Sequence, residues 1–206
     1  MLWQYKLAAA AKKLGKRVGL APSIDIAKPM QEAGEQVAEE SGAKGLTTND
    51  TPALLQPSPA CVKLIHSFES CAVLRPDGLY EAYPDPGSSN GEPWTIGWGS
   101  TGKGIGPGTR WTRAQCDARF ERDLERFAKG VRGFIGDTPT TQGQFDALVS
   151  FHYNTGAIAN STLGRKHKAG DYAGAAAQFE RWVFNDGVSM KGLRRRRDAE
   201  RRLYVS

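Results

Sequence analysis

The chain has 206 residues, and its 28 Lys and Arg against 22 Asp and Glu give a formal net charge of +6. This length suits one domain of about 150 residues plus an extension, and no apolar run approaches the roughly 18 residues of a membrane span, so no membrane anchor is expected. The excess of positive charge favours an anionic partner, but it does not choose between nucleic acid and an acidic cell envelope.

The cysteines and histidines argue against two kinds of site. Cys61, Cys71 and Cys116 form an odd set without CxxC spacing, so we expect neither a disulfide framework nor a structural zinc site. The three histidines are far apart in sequence, and no HExxH pattern would bring two of them onto one helical face. We therefore expect no metal and no cofactor.

Residues 1–58 differ in composition from the rest of the chain. The opening MLWQYKLAAAAKKLGKRVG predicts a cationic helix, which would either contact an anionic membrane surface or remain a solvated helix. The acidic stretch QEAGEQVAEE is compatible with a second helix, and the Gly-, Thr- and Pro-rich run after it is typical of a linker. We place the boundary near Pro59, with a helical extension over 1–58 and the main domain over 59–206.

The main domain is predicted to begin with a helix and a small sheet. CVKLIHSFES has apolar residues at helical spacing and Pro59 at its start, so we predict a helix that ends near Glu69. Residues 72–100 are rich in proline and glycine and contain short β-like runs, which predicts a small irregular sheet.

The remainder of the chain is predicted to be helical. Thr112 is a candidate N-cap for RAQCDARFERDLERFAKGVRGFI, whose apolar residues recur at steps of four and three. Thr140 or Thr141 would cap TTQGQFDALVSFHYNTG, and Gly156 would end it. We expect three more helices: a short one near residues 161–169, one in DYAGAAAQFERWVF and a basic one in GLRRRRDAERRLY. The predicted fold class is α+β, with a small sheet lobe and a helical bundle.

Two carboxylates precede the bundle. Glu69 ends the first helix and Asp85 follows between two prolines, a separation that would let both face one cleft. Cleavage of a glycosidic bond uses such a pair, since one carboxyl protonates the leaving oxygen and the other stabilises an oxocarbenium-like centre. Glu69 is the better candidate for the acid because Phe68 and Ile65 would favour its protonated form, whereas Asp85 would stay ionised among turn amides and water. Thr95 would hold a water; the alternative is an ordinary hairpin in which Asp85 serves only a turn.

The segments around these residues resemble the phage-type lysozymes, the endolysin family typified by the T-even phage enzyme. The resemblance covers residues 60–204 and rests on segments in the family's order: LIHSFES, AYPDP, TIGWGST, QFDALVSFHYNTG, STLGRKHKAGDYAGAAAQFERWV and GLRRRRDAERRLY. It implies a two-lobed lysozyme-like fold that hydrolyses the β-1,4 bond between N-acetylmuramic acid and N-acetylglucosamine in peptidoglycan. It also implies that Glu69 is the general acid, Asp85 the second carboxylate and Thr95 the residue that positions the attacking water.

The chain departs from the family pattern around Asp85. CAVLRPDGLYE and GSSNGEP look like insertions on either side of it. Asp77, Glu81 and Glu92 lie within these insertions and are alternative partners for Glu69. We retain Asp85 because it alone has the Tyr-x-Asp-Pro context.

Three residues of the matching segments are candidates for substrate binding: Trp98, Tyr83 and Asn154. In the TIG run this chain has Trp98 and Ser100 where the family commonly has a tyrosine and a histidine. Trp98 would either stack on a pyranose face or pack in the core.

The resemblance also sets expectations for partners and location. Peptidoglycan is the expected partner, and the arginine-rich C-terminal helix would pair internally and face an anionic envelope rather than bind nucleic acid. We expect a monomeric endolysin that accumulates in the host cytoplasm, since the alanine run before Lys12 leaves no clean signal cleavage site, and that reaches the wall through a holin pore. The alternative function is a catalytically weak wall-binding or virion-associated module.

Overall fold

A computed structural model of the protein describes residues 54–69, 71, 73–84, 91–185 and 187–206. Within these ranges the chain forms six α-helices and three two-stranded antiparallel sheets, so the predicted α+β class is confirmed. The helices predicted in the extension and the turn at Asp85 lie outside the described residues. The division into 1–58 and 59–206 stays a prediction.

The elements follow one another in a simple order. They are α1 (Pro59–Phe68), β1 (Tyr80–Glu81), β2 (Thr95–Ile96), β3 (Ser100–Thr101), β4 (Arg110–Trp111), α2 (Arg113–Ile135), α3 (Gln142–Thr155), α4 (Thr162–Lys168), α5 (Tyr172–Gln178), a 3-10 turn (Phe179–Arg181), β5 (Phe184–Asn185), β6 (Val188–Ser189) and α6 (Lys191–Tyr204). None of the helices in the described ranges combines the length and the apolar character needed to cross a bilayer.

Side-chain caps fix where the two longest central helices begin. Thr112 and Thr141 each form a capping box, in which the threonine oxygen accepts the N–H three residues on and a glutamine side chain accepts the threonine N–H. The predicted cap at Thr112 is therefore confirmed, and Thr141 rather than Thr140 caps α3. Gly156 ends α3 in the left-handed conformation, with φ of +66°, as its position predicts.

The helical lobe is built around α3. Phe145, Leu148 and Phe151 of this helix are fully buried, and α1, α2 and α6 all pack against it. Each such side chain contributes roughly 1.5–3 kcal/mol when it leaves water. Because α3 is central, residues at its C-terminal end have fixed positions relative to both α1 and α6.

The residues just before α1 are bound to the same lobe. Asp146 of α3 accepts hydrogen bonds from the backbone N–H of Ser58 at 3.0 Å and from its hydroxyl at 2.5 Å. Arg132 of α2 donates to the carbonyl oxygen of Leu55 at 3.0 Å. These contacts fix the start of α1, and through it the position of Glu69 at the other end.

The sheet lobe consists of short ladders. Tyr80 pairs with Trp111 between β1 and β4, and Thr95 pairs with Thr101 between β2 and β3. An isolated bridge between Tyr83 and Thr95 joins the first strand region to the second. The small irregular sheet predicted over 72–100 thus extends further along the chain, to β4.

The helix predicted through Phe184 is wrong at its C-terminal end. The α-helical part stops at Gln178, a 3-10 turn follows, and Phe184 begins the β5–β6 hairpin. The sequence Asn-Asp-Gly favours a two-residue hairpin turn, and Gly187 has the positive φ of +78° that such a turn requires.

Candidate active site

Glu69 lies where α1 stops. Its backbone is extended (φ −100°, ψ +121°), and its N–H still donates to the carbonyl oxygen of Ile65 at 2.9 Å. The side chain is 12% exposed, and its Oε1 accepts a hydrogen bond from Nη1 of Arg196 at 2.5 Å. The carboxyl group is therefore held by a charged partner from α6 while keeping limited access to solvent.

The tip of the β2–β3 hairpin lies close to this carboxyl group. A Cβ atom placed on Gly99 would lie 3.3 Å from Oε2 of Glu69, and Gly99 has a φ of +90°. Both the close approach and the backbone conformation favour glycine at this position. The hairpin that begins at Thr95 thus reaches the candidate acid through Gly99.

Arg196 belongs to a buried network of alternating charges. It is 0% exposed, and its Nε lies 3.0 Å from Oε1 of Glu200, which also accepts from the hydroxyl of Ser150 at 2.8 Å. Burial disfavours the charged form of Arg196, but the carboxylates of Glu69 and Glu200 outweigh it and raise the pKa of Arg196 above its ordinary value. Loss of one partner from such a network costs about 3–5 kcal/mol, because the other charge stays buried and unpaired.

The environment of Glu69 differs from the one expected from the sequence. Phe68 and Ile65 led us to expect apolar surroundings, whereas the structure pairs the carboxyl group with Arg196. The missed signal was the spacing of Arg196 and Glu200, four residues apart on a predicted helix, which favours an ion pair on one helical face.

Thr95 lies beside the strand that leads to Asp85. Its N–H and carbonyl oxygen exchange hydrogen bonds with those of Tyr83, both at 2.9 Å. Asp85 follows Tyr83 by two residues and is itself outside the described residues. Tyr83 and Thr95 are therefore paired neighbours. The β2–β3 hairpin that begins at Thr95 continues to Gly99, which lies close to Glu69.

Trp98 occupies a largely enclosed position. It is 8% exposed, its ring stacks on His66 with 4.0 Å between centroids, and its Nε1 donates to Oδ1 of Asp117 at 2.6 Å. The guanidinium carbon of Arg113 lies 4.6 Å from the ring centroid. This environment matches the core tryptophan of the two alternatives stated from the sequence.

Asn154 connects to the same charge network. Its Oδ1 accepts from Nη2 of Arg197 at 2.7 Å, and Arg197 lies 3.1 Å from Oε2 of Glu200. Burial, partly offset by the charge of Glu200, lowers the pKa of Arg197 to about 10. A continuous series of polar contacts thus runs from Glu69 through Arg196, Glu200 and Arg197 to Asn154, and the sequence did not indicate the role of Arg197.

The alternative carboxylates Asp77 and Glu81 take part in ion pairs at the β1–β4 ladder. Glu81 contacts Arg75 and lies 3.6 Å from Arg110, and Asp77 lies 3.7 Å from Arg110. In the part of the chain that the structure describes, no three His, Cys, Asp or Glu side chains come together as a metal site.

A comparison with protein families matches most of the segment that contains this site. The model of the Phage lysozyme family matches residues 77–200. That range includes Thr95, Asn154 and Arg196, and it begins after Glu69.

Two individual relatives are endolysins of phages. A SAR-endolysin of Bacteriophage PS119 is 44% identical over 111 residues, which are 52% of this chain and 65% of the relative. A SAR-endolysin of Enterobacteria phage PA-2 is 42% identical over 116 residues, which are 54% of this chain and 68% of the relative. The match thus spans about two thirds of the length of these relatives.

Solved structures share the fold. The muramidase domain of SpmX from Asticaccaulis excentricus has a TM-score of 0.61 and 33% identity, with 73% of this chain and 98% of that chain covered. An endolysin from Escherichia coli O157:H7 phage FAHEc1 has a TM-score of 0.59 and 32% identity, with 73% and 94% covered. With a family match over more than half of its length and these structural neighbours, the chain belongs to the phage lysozyme family.

Proposed function

We propose that this chain is a muramidase that hydrolyses the β-1,4 bond between N-acetylmuramic acid and N-acetylglucosamine, with Glu69 as the general acid. Membership of the phage lysozyme family makes it a lysozyme-type glycoside hydrolase that acts on peptidoglycan. One observation carries the finer proposal: the Glu69 carboxyl group is held between Arg196 and the hairpin that begins at Thr95. The observation concerns position: a group that protonates a leaving oxygen must be held within hydrogen-bond reach of that oxygen.

The proposed reaction divides the chemistry between three residues. Glu69 gives its proton to the glycosidic oxygen as that bond breaks, and Asp85 stabilises the positive charge that develops on the sugar ring. Thr95 positions the water whose oxygen bonds to the anomeric carbon, and the proton that this water loses replaces the one that Glu69 gave up. The backbone pairing of Thr95 with Tyr83 supports this division, because it brings Thr95 beside the segment that continues to Asp85.

A muropeptide digest tests the proposed reaction. Purified protein is expected to release new reducing ends from peptidoglycan, and mass spectrometry should find reducing muramic ends rather than anhydro ends. The substitution Glu69→Gln should lower kcat by about 10²–10⁴-fold, the usual contribution of a general acid. Glu121→Gln, at an exposed position on α2, is the matched control and should keep full activity. A fully active Glu69→Gln variant would refute the assignment.

The identity of the second carboxylate needs a separate comparison. Asp85→Asn is expected to remove activity, whereas Asp77→Asn and Glu81→Gln should retain it, since these two side chains already pair with arginines of the sheet lobe. If Asp77→Asn or Glu81→Gln is the inactive variant, the role moves to that residue.

The same digest separates hydrolysis from binding alone. Retention of the protein on peptidoglycan without any released product would favour the wall-binding alternative.

We further propose that the protein accumulates in the host cytoplasm, depends on a holin for release and contacts anionic membranes through its N-terminal segment. Fractionation of host cells with and without a holin tests the release step.

A further inference from the structure

The β2–β3 hairpin depends on its surroundings for its position. Its two strands pair over only two residues each, and its tip is Gly97–Trp98–Gly99, with φ values of +60° and +90° at the glycines. A hairpin this short is marginally stable by itself. The contact between Gly99 and Glu69 must therefore be maintained by bonds from other elements.

Helix α2 holds the side chains of this hairpin. Asp117 accepts from the indole nitrogen of Trp98 at 2.6 Å, and Asp123 accepts from the hydroxyl of Ser100 at 2.9 Å. These bonds fix an indole and a hydroxyl group. They act on the side chains of Trp98 and Ser100 and not on the Trp98–Gly99 peptide unit, which leads to the residue beside Glu69.

Tyr153 of α3 restrains that peptide unit. Its hydroxyl donates to the carbonyl oxygen of Trp98 at 2.8 Å. Because a peptide unit is planar, a bond to its oxygen also sets the direction in which the chain continues to Gly99. Gly99 is the residue whose Cβ position lies 3.3 Å from Oε2 of Glu69.

The environment of Tyr153 suits a fixed donor. Its ring packs against Phe127 and Phe120, with centroids 5.0 Å and 5.8 Å apart. Burial and, after it, the negative charge of Glu69 raise the pKa of the Tyr153 hydroxyl above its ordinary value. The hydroxyl therefore stays protonated, and able to donate, at neutral pH.

We propose that Tyr153 is a positioning residue for the candidate acid: its hydroxyl holds the Trp98–Gly99 peptide so that Gly99 stays against Oε2 of Glu69. The inference rests on the proposed function of Glu69. Loss of the hydroxyl leaves the Trp98 carbonyl without this donor and loosens the tip. The effect falls on kcat rather than KM, because the orientation of the acid matters when the bond breaks.

The substitution Tyr153→Phe tests the proposal against Tyr172→Phe. The hydroxyl of Tyr172 donates to the carbonyl oxygen of Pro139 at 2.5 Å, so both variants lose one tyrosine-to-carbonyl hydrogen bond. We expect Tyr153→Phe to lower kcat about tenfold with KM changed less than about twofold, and Tyr172→Phe to keep both constants. Equal kcat values for wild type and Tyr153→Phe, or equal losses in the two variants, would overturn the proposal.

Two further measurements make the link to Glu69 explicit. In a Glu69→Gln background, Tyr153→Phe should cause no additional loss of the residual rate, since both substitutions affect the same group. Hydrogen exchange of residues 97–101 should become faster in Tyr153→Phe and stay unchanged in Tyr172→Phe. Hydrogen exchange can be measured whether or not the protein is active. Inactive wild-type protein would therefore contradict the proposed function alone. Unchanged exchange in Tyr153→Phe would contradict the positioning role.

Discussion

The two polar atoms of the Asn154 side chain have different roles. Its Oδ1 accepts from Arg197 at 2.7 Å, and since a guanidinium group only donates, this contact also determines which end of the amide faces Arg197. The Nδ2 atom makes no hydrogen bond to any described residue and is not among the buried polar atoms. We predict that Nδ2 of Asn154 donates a hydrogen bond to an acceptor oxygen of the glycan.

Asn154→Asp tests this role. A carboxylate would still accept from Arg197, so the folded protein should be as stable as wild type or more stable. The donor would be lost, and the KM for glycan strands should rise about tenfold with kcat little changed, as expected when one hydrogen bond of substrate binding is removed. Steady-state kinetics and a thermal melt measure the two quantities. Asn160→Asp, in an exposed turn, is the control, and an unchanged KM in Asn154→Asp would contradict the prediction.

At the scale of single residues, the sequence predicted the candidate acid but not its partner. Glu69 could be singled out because it ends a short apolar helix and because LIHSFES resembles the family segment that ends in the catalytic glutamate. The spacing of Arg196 and Glu200 indicates an ion pair on one helical face, but Arg194 and Asp198 have the same spacing. Which of these pairs is buried depends on the rotation of α6 against α3. In the structure Arg196 and Arg197 lie on the buried face, together with Glu200 and Tyr204.

At the scale of elements, α3 and α6 carry the charge network that contacts Glu69, and they meet closely at one glycine. A Cβ atom on Gly143, in the first turn of α3, would lie 2.5 Å from the backbone oxygen of Leu203 in α6. A backbone atom cannot move away as a flexible side chain can. The two helices are therefore able to pack at this distance because position 143 has no side chain.

The pair Gly143→Ala and Gly133→Ala tests the importance of this contact. Gly143→Ala should lower the free energy of unfolding by about 1–3 kcal/mol, since it forces the helices apart. A Cβ atom added at Gly133, within α2, would have open space around it. Gly133→Ala should therefore raise the free energy of unfolding by about 0.5–1 kcal/mol. Urea denaturation measures both changes. Effects of the same sign would show that helix propensity rather than close packing dominates at Gly143.

Elements with strong local signals were predictable, and those that depend on distant pairing were not. The caps at Thr112 and Thr141 and the stop at Gly156 follow from neighbouring residues, and the helices begin and end there. Strands of two residues carry no periodicity, so the ladders could be expected only as an irregular region. The β5–β6 hairpin was missed because an alanine-rich helix precedes it without a proline or glycine at the junction.

At the scale of the whole molecule, all three histidines are held in environments that disfavour their charged form. Burial lowers the pKa of His167 to about 4, and burial together with Arg126 lowers that of His152 to about 4. The pKa of His66 is also lowered, first by burial, and its Nε2 is buried without a hydrogen-bond partner among the described residues. Each histidine therefore stays neutral in the folded protein at a pH where it is protonated in the unfolded chain.

This arrangement predicts a loss of stability on mild acidification. Below the unfolded pKa of about 6.5 the unfolded chain binds more protons than the folded one, so the free energy of unfolding falls as the pH drops towards 4. Between pH 7.5 and 5, His167, which is fully buried, should lower the free energy of unfolding by about 2 kcal/mol. The partly exposed His152 should lower it by less. The ordinary pKa values of Asp and Glu side chains lie at about 4, below this range, so the three histidines are the expected source of the loss.

His167→Gln isolates one of these contributions. The imidazole contacts the hydroxyls of Thr140 at 3.0 Å and Tyr204 at 2.6 Å, and an amide also has one donor end and one acceptor end for such neighbours. The variant should therefore fold and should lose less stability than wild type between pH 7.5 and 5, by about 2 kcal/mol. Urea denaturation at the two pH values measures the difference. An identical pH dependence in wild type and variant would mean that His167 is not a source of the acid sensitivity.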